Sequence, residues 1–274
     1  MIIQFENVNL NLEQLSEFDN SKKSILFLHG FTGSANDWKD VSLKIDKRFN
    51  KLALDLIGHG KSSSPSSVNY YRIESLVNQI EQVINHLRLK EVILCGYSMG
   101  GRIALCFTLS KSEIVKGLIM ESASAGFKNE KEKEARVVSD EELATFIENN
   151  SLEDFATKWI DQELFGTFRR FSNNKIKLIK DERAKNSKIG LANTLRGFGT
   201  GVMSYQGSEF SKLKIPVFLI SGGLDDKFTK INQSLKKLLP SSRHKIISTA
   251  GHNTHLEEPK KFIEAVNGFL SRIK

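Results

Sequence analysis

Cysteine is almost missing from this chain, with only Cys95 and Cys106 among 274 residues. Two thiols cannot make a disulfide scaffold. Both fall in segments expected to be buried, so they read as small core residues rather than as a bridge or metal ligands. No apolar run approaches the ~20 residues that a spanning helix requires, and membrane insertion is not expected. The opening Met1-Ile2-Ile3-Gln4-Phe5-Glu6 has no basic segment and meets an acid at once. A secretory signal is therefore not expected, and the cytoplasm is the expected compartment. A dense basic block is lacking too. The net charge of +8 comes from lysines scattered along the chain, without the aromatic platform of single-strand binders, so no nucleic-acid partner is expected.

The composition, 39% hydrophobic and 26% charged, is that of a globular protein, and the length admits one large α/β domain or two small ones. Short apolar runs at 24–28, 51–55, 92–95, 115–120, 215–220 and 244–248 read as strands, and several end in turn residues such as His29-Gly30 or Gly58-His59-Gly60. Helical spacing is read at 35–48, 71–89, 229–239 and 259–273, with a small antiparallel edge at 1–18. Strand and helix alternate up to Met120, stop, and resume at Ile215. The alternation predicts a mainly parallel, doubly wound sheet formed by residues 1–122 and 208–274, with 123–207 as a helical cap inserted after the sixth strand.

Gly96-Tyr97-Ser98-Met99-Gly100 carries a G-x-S-x-G pattern between an apolar run and a helix-like segment. In that context Ser98 is a candidate nucleophile, against the alternative of an ordinary Gly/Ser turn. A serine needs a base with a fixed tautomer. His252 follows the last predicted strand and Asp225 the one before it, giving the order Ser98, Asp225, His252. Alone, His252 could be a loop histidine and Asp225 a helix cap, with Asp226 as rival acid. Backbone N–H groups of Met99, after the serine, and Phe31, after His29-Gly30, are candidates for an oxyanion hole. Arg102 lies one helical turn beyond Ser98 and suits a carboxylate, unless it is simply exposed. Tyr97 either faces the pocket or packs as a ring. Arg136 and Arg183 are unremarkable in their charged surroundings. Residues 195–201 lack the spacing of a dinucleotide loop.

Taken together, Leu28-His29-Gly30-Phe31-Thr32-Gly33-Ser34 with Trp38, Gly96 to Arg102, Glu121-Ser122-Ala123-Ser124, the 195–201 stretch, Asp225-Asp226-Lys227-Phe228 and Ala250-Gly251-His252-Asn253-Thr254-His255 resemble one branch of the α/β-hydrolase fold superfamily. That branch is the 2-succinyl-6-hydroxy-2,4-cyclohexadiene-1-carboxylate synthases of menaquinone biosynthesis. The resemblance runs from about residue 25 to the C-terminus. Departures are Ile57 and Ala125, where proline is common, and Ile160 after Trp159, where some relatives have tyrosine.

The resemblance implies Ser98, Asp225 and His252 as a triad, Arg102, Arg136 and Arg183 on substrate carboxylates, and Tyr97, Trp159 and Phe228 near the pocket. It implies elimination of pyruvate from a small substrate bearing several carboxylates, with no metal or organic cofactor. An esterase or carbon–carbon bond hydrolase with nucleophilic Ser98 is the nearest alternative, and a non-catalytic receptor or scaffold is a more distant one.

Overall fold

A computed structural model describes residues 1–273; Lys274, the last residue of the expected core, lies outside them. β1 (Ile2–Phe5) and β2 (Val8–Gln14) form an antiparallel hairpin that turns at Glu6, where φ is +49°. Mostly apolar runs give strands covered on both faces: β3 (Ser24–Leu28), β4 (Asn50–Leu54), β5 (Val92–Tyr97), β6 (Val115–Glu121) and β7 (Val217–Gly222). The last strand, β8 (Ser242–Ile247), is an edge and is largely exposed. The sheet order is β1-β2-β4-β3-β5-β6-β7-β8, antiparallel through β2/β4 and parallel from β4 onward.

Side chains alternate across the strands, so Leu26 and Leu28 pack on one face and Ile25 and Phe27 on the other. The first face receives α2 (Ile73–His86) and α3 (Met99–Ser110) through Ile80, Val83, Ile103 and Phe107. The second receives Trp38, beside the short α1 (Lys39–Ser42), and α10 (Pro259–Leu270), through Phe262 and Phe269. From β3 the chain steps outward to β4, then returns across β3 to β5. The adjoining carboxyl ends of β3 and β5, with Leu28 opposite Gly96, are therefore a topological switch point, where open α/β sheets leave a crevice.

Between β6 and β7 run α4 (Glu130–Asn149), α5 (Leu152–Ile160), a 3₁₀ stretch Glu163–Arg170, α6 (Asn173–Ala184) and α7 (Lys188–Phe198). Each α-helix of this group starts at a side chain that accepts an N-terminal N–H: Asn129, Ser151, Ser172 and Ser187. Ala144, Ile147, Phe155, Leu191 and Leu195 give it a small core of its own. α8 (Asp226–Leu238) and the short α9 (Thr254–Glu257) follow β7 and β8.

Three local expectations needed correction. The helix expected at 35–48 is only a 3₁₀ turn, Ala35–Trp38, followed by α1. Asn267 on α10 accepts from the Asp46 N–H and donates to the Lys44 carbonyl, so tertiary docking claims the backbone that a longer helix would need. The strand expected to begin at Ile215 begins at Val217, because Pro216 has no N–H to give the ladder. α8 begins three residues earlier than its periodicity suggests, since Asp225 caps it through the Phe228 N–H.

Candidate active site

The site begins with the turn out of β5. Ser98 has φ +50° and ψ −107°, a region L-residues rarely occupy. Crowding explains why the residues around it are glycine. A Cβ on Gly96 would sit 2.3 Å from the Gly100 carbonyl oxygen, and one on Gly100 would sit 2.2 Å from that of Leu28. The close approach holds Ser98 above the sheet with its own N–H given to the Glu121 carbonyl at 2.8 Å.

The Ser98 hydroxyl donates to His252 Nε2 at 3.2 Å, and His252 Nδ1–H donates to Asp225 Oδ2 at 2.7 Å. The carboxylate acceptor fixes the tautomer that leaves Nε2 free to accept. His252 is 1% exposed and Asp225 8%. Asp226, the rival acid, belongs to the first turn of α8, while Asp225 serves both as cap and as imidazole partner.

Two further carboxylates steady the His252 loop. Glu257 accepts from the Gly251 and Asn253 N–H groups on either side of His252, and pairs with Arg170 of the 3₁₀ stretch at 2.8 Å. Glu121 accepts from Thr254 Oγ1, the His255 N–H and His255 Nδ1, while the His255 ring stacks on Trp38 at 4.2 Å.

Among the described residues, neither the Met99 nor the Phe31 N–H has a protein acceptor. Met99 opens α3, where N–H groups lack intrahelical partners and the dipole favours an anion. The Gly30–Phe31 peptide is held by its other end. The Gly30 carbonyl accepts from His29 Nδ1 at 2.8 Å and from the Gly33 N–H at 3.0 Å. A planar trans peptide then points the Phe31 N–H the opposite way.

A cavity of about 930 Å³ is lined by Phe31, Tyr97, Ser98, Met99, Asp225 and His252 from the strand ends. Facing them are Arg136, Asp140, Trp159, Phe165 and Phe198 from the inserted helices. That volume suits a small molecule. Phe228 lies 4.5 Å, ring to ring, from His252, and Tyr97 is a buried ring 5.4 Å from it that also lines the cavity.

Arg102 is only 8% exposed. Its guanidinium donates to the Phe198 carbonyl at 3.0 Å and lies over the Phe198 ring. Burial, with Arg136 nearby, pushes its proton affinity down to about 10. Arg136 donates to Asp140 Oδ1 at 2.7 Å, and burial raises that carboxyl against the pull of Arg136, Arg102 and the Gly201 N–H.

Arg183 is not brought to the cavity. It lies on the buried side of the last turn of α6 and donates to Asp37 Oδ1 at 2.9 Å, so its charge is met by a protein carboxylate rather than held open for a ligand. The expected carboxylate-binding role does not fit this placement. His29 and His59 hold loops: the Leu56 N–H donates to His29 Nε2, and His59 Nδ1 donates to the Ile57 carbonyl. Burial drives His59 down to about 3.

Sequence reasoning passed over Phe165 and Glu257, and it gave no role to Asp140 or to Glu121, which entered only as part of the Glu121-Ser122-Ala123-Ser124 motif. Only Asp140 carried a readable signal, its spacing of one turn from Arg136. Among the described residues no group of three or more His, Cys, Asp or Glu could hold a metal ion.

A hydroxyl, an imidazole and a carboxylate converging from three strand ends below a helical insertion define an enzyme of the α/β-hydrolase fold, and a family profile for the alpha/beta hydrolase fold matches residues 23–259. A Bacillus subtilis (strain 168) protein provisionally named 2-succinyl-6-hydroxy-2,4-cyclohexadiene-1-carboxylate synthase is 38% identical, over 94% of this chain and 93% of its own. The synthase of that name from Yersinia pestis bv. Antiqua (strain Nepal516) is 28% identical, over 90% of this chain and 87% of its own. The structure of MenH from S. aureus superposes with a TM-score of 0.88 at 27% identity, covering 96% of this chain and 97% of that one. The chain belongs to the 2-succinyl-6-hydroxy-2,4-cyclohexadiene-1-carboxylate synthase family of α/β-hydrolase-fold enzymes.

Proposed function

We propose that the protein is a carbon–oxygen lyase of menaquinone biosynthesis. It eliminates pyruvate from 2-succinyl-5-enolpyruvyl-6-hydroxy-3-cyclohexene-1-carboxylate to give 2-succinyl-6-hydroxy-2,4-cyclohexadiene-1-carboxylate. Ser98, hydrogen-bonded to His252, removes the ring proton α to the succinyl ketone, and the proton passes to His252. The electron pair forms C2=C3, the old C3=C4 pair becomes C4=C5, and the C5–O bond breaks. Enolpyruvate leaves and takes up a proton to become pyruvate. Charge gathers on the succinyl ketone oxygen, and the unpaired Phe31 and Met99 N–H groups are the donors for it. No acyl-enzyme is required.

The observation that carries this reading is Arg102. It is a buried cation on the cavity wall, one helical turn from Ser98, and it has no carboxylate hydrogen-bonded to it among the described residues. A site for a neutral ester gains little from such a charge, whereas a multiply carboxylated substrate supplies the direct partner that Arg102 lacks, the nearby Asp140 carboxylate being hydrogen-bonded to Arg136. Arg136, with Tyr97, Trp159 and Phe228, completes the binding wall, and residues 123–207 act as a cap on the core of 1–122 and 208–274. The small carboxylated substrate is the only partner assigned, and the two unpaired, buried thiols fit the cytoplasm as compartment.

Pyruvate release can be followed with lactate dehydrogenase while p-nitrophenyl ester turnover is measured alongside. Pyruvate formation lost on Ser98→Ala is the expected result. Efficient ester cleavage without pyruvate would replace the lyase with a serine hydrolase.

A further inference from the structure

The loop that carries the Phe31 N–H contains a strained residue, Thr32, at φ +68°. A non-glycine residue in that region persists only where its surroundings hold it. The constraint comes from α6 and the turn after it. Asn186 Nδ2 donates to the Thr32 carbonyl at 2.8 Å, and Asn186 Oδ1 accepts from the Gly60 N–H at 3.2 Å. Three residues earlier, Arg183 donates to Asp37 Oδ1 at 2.9 Å, with side chains only 10% and 17% exposed.

The other oxygen of Asp37 accepts from the Ser34 N–H, and a Cβ on Gly33 would meet it at 2.4 Å. The carboxylate therefore abuts the backbone of residues 33 and 34. The Gly33 N–H in turn holds the Gly30 carbonyl, which belongs to the same peptide plane as the Phe31 N–H.

We propose that Arg183 is a positioning residue. Through Asp37, and together with Asn186, it clamps the loop 30–34 and so aims the Phe31 N–H into the cavity. It does not bind a substrate carboxylate. The core holds the Gly30 carbonyl through His29 and the Gly33 N–H, and the inserted segment adds the outer part of the clamp through Arg183 and Asn186. The inference rests on the assignment of the Phe31 N–H as an oxyanion donor, but not on the identity of the substrate.

Two readouts test it. One is the kcat and KM for pyruvate release. The other is phosphonylation of Ser98 by a fluorophosphonate, in which the serine oxygen bonds to phosphorus, fluoride leaves and the phosphoryl oxygen requires the same donors. Misaiming one of two oxyanion donors should cost part of the 10²–10³ that full removal costs. Asp37→Asn and Arg183→Gln are therefore each expected to slow kcat and phosphonylation by about 10- to 100-fold, with KM within about twofold. Arg183→Lys should recover part of the loss, since an ammonium still reaches one carboxylate oxygen.

Wild-type rates in Asp37→Asn, or an effect of Arg183→Gln confined to KM, would overturn the clamp. If the Arg183 variants do not fold, the isosteric Asp37→Asn decides alone. A wild-type enzyme that is phosphonylated yet releases no pyruvate would defeat the lyase assignment, and phosphonylation of the variants would still decide the clamp.

Discussion

Replacing Arg102 by methionine separates binding of an anion from support of the fold. The guanidinium is buried and carries two neutral hydrogen bonds, to the Phe198 carbonyl at 3.0 Å and a weak one to Met203 Sδ at 3.9 Å, and a contact with the Phe198 ring. A substrate carboxylate reaching it would form two charge-assisted bonds, at roughly 1.5–2 kcal/mol each in such a site. Losing both removes about 3–4 kcal/mol, or roughly 10²- to 10³-fold in kcat/KM for the carboxylated substrate. A neutral p-nitrophenyl ester makes no such bonds and should change by less than about fivefold.

Stability should respond differently. The fall of Arg102 to about 10 means that an incompletely compensated charge is buried, worth a few kcal/mol at about 1.4 kcal/mol per pH unit. Methionine relieves that cost but gives up the Phe198 bond and ring contact, about 1–2 kcal/mol each. The two effects nearly cancel, so the melting temperature should move by no more than a few degrees. Steady-state kinetics on both substrates and a thermal melt provide the check. Equal losses on ester and anion, or a melting temperature lowered by ten degrees or more, would make Arg102 a structural residue and remove the main support for an anionic substrate.

Asp225→Asn keeps an acceptor for the Phe228 N–H and should leave stability within about 0.5 kcal/mol, yet lower kcat by about 10³- to 10⁴-fold through the wrong imidazole tautomer. Asp225→Ala should add a loss of about 1 kcal/mol from the missing cap, visible in urea unfolding. Gly100→Ala places a methyl 2.2 Å from the Leu28 carbonyl oxygen, against backbone that cannot yield. Soluble expression should fail, and a normally folded variant would refute the crowding account of the elbow. His59 stays neutral down to about 3 in the folded protein, whereas an unfolded imidazole takes a proton below about 6.5. Folding stability should therefore fall between those limits as pH drops, by up to about 1.4 kcal/mol per pH unit from this residue. Urea unfolding at pH 7, 6 and 5 tests this, since His59→Gln should flatten the slope.

Much of the fold is local information. Apolar runs at 24–28 and 92–95 have the length and pattern of strands covered on both faces, and the break in alternation after Met120 marks where the helices are inserted. The helix at 35–48 was misread because Asn267, more than 200 residues away, takes the backbone groups of Lys44 and Asp46. Nothing in the local pattern announces that competitor. The bracing roles of Glu257 and Glu121 were invisible for a related reason: a carboxylate that holds a loop is not marked as such until its partners have been brought to it.

By itself, the sequence determined the order of strands and helices, the elbow at Ser98, and the three residue types that could form a proton relay. Each depends on short-range spacing, which the chain carries along its own length. Only the tertiary structure decided which charges remain available. Arg102 and Arg183 are both buried arginines, but the first opens on the cavity without a carboxylate at hydrogen-bonding distance, and the second is neutralised by Asp37, 146 residues distant in sequence. The electrostatic state of a side chain depends on its neighbours in space, and folding sets those neighbours.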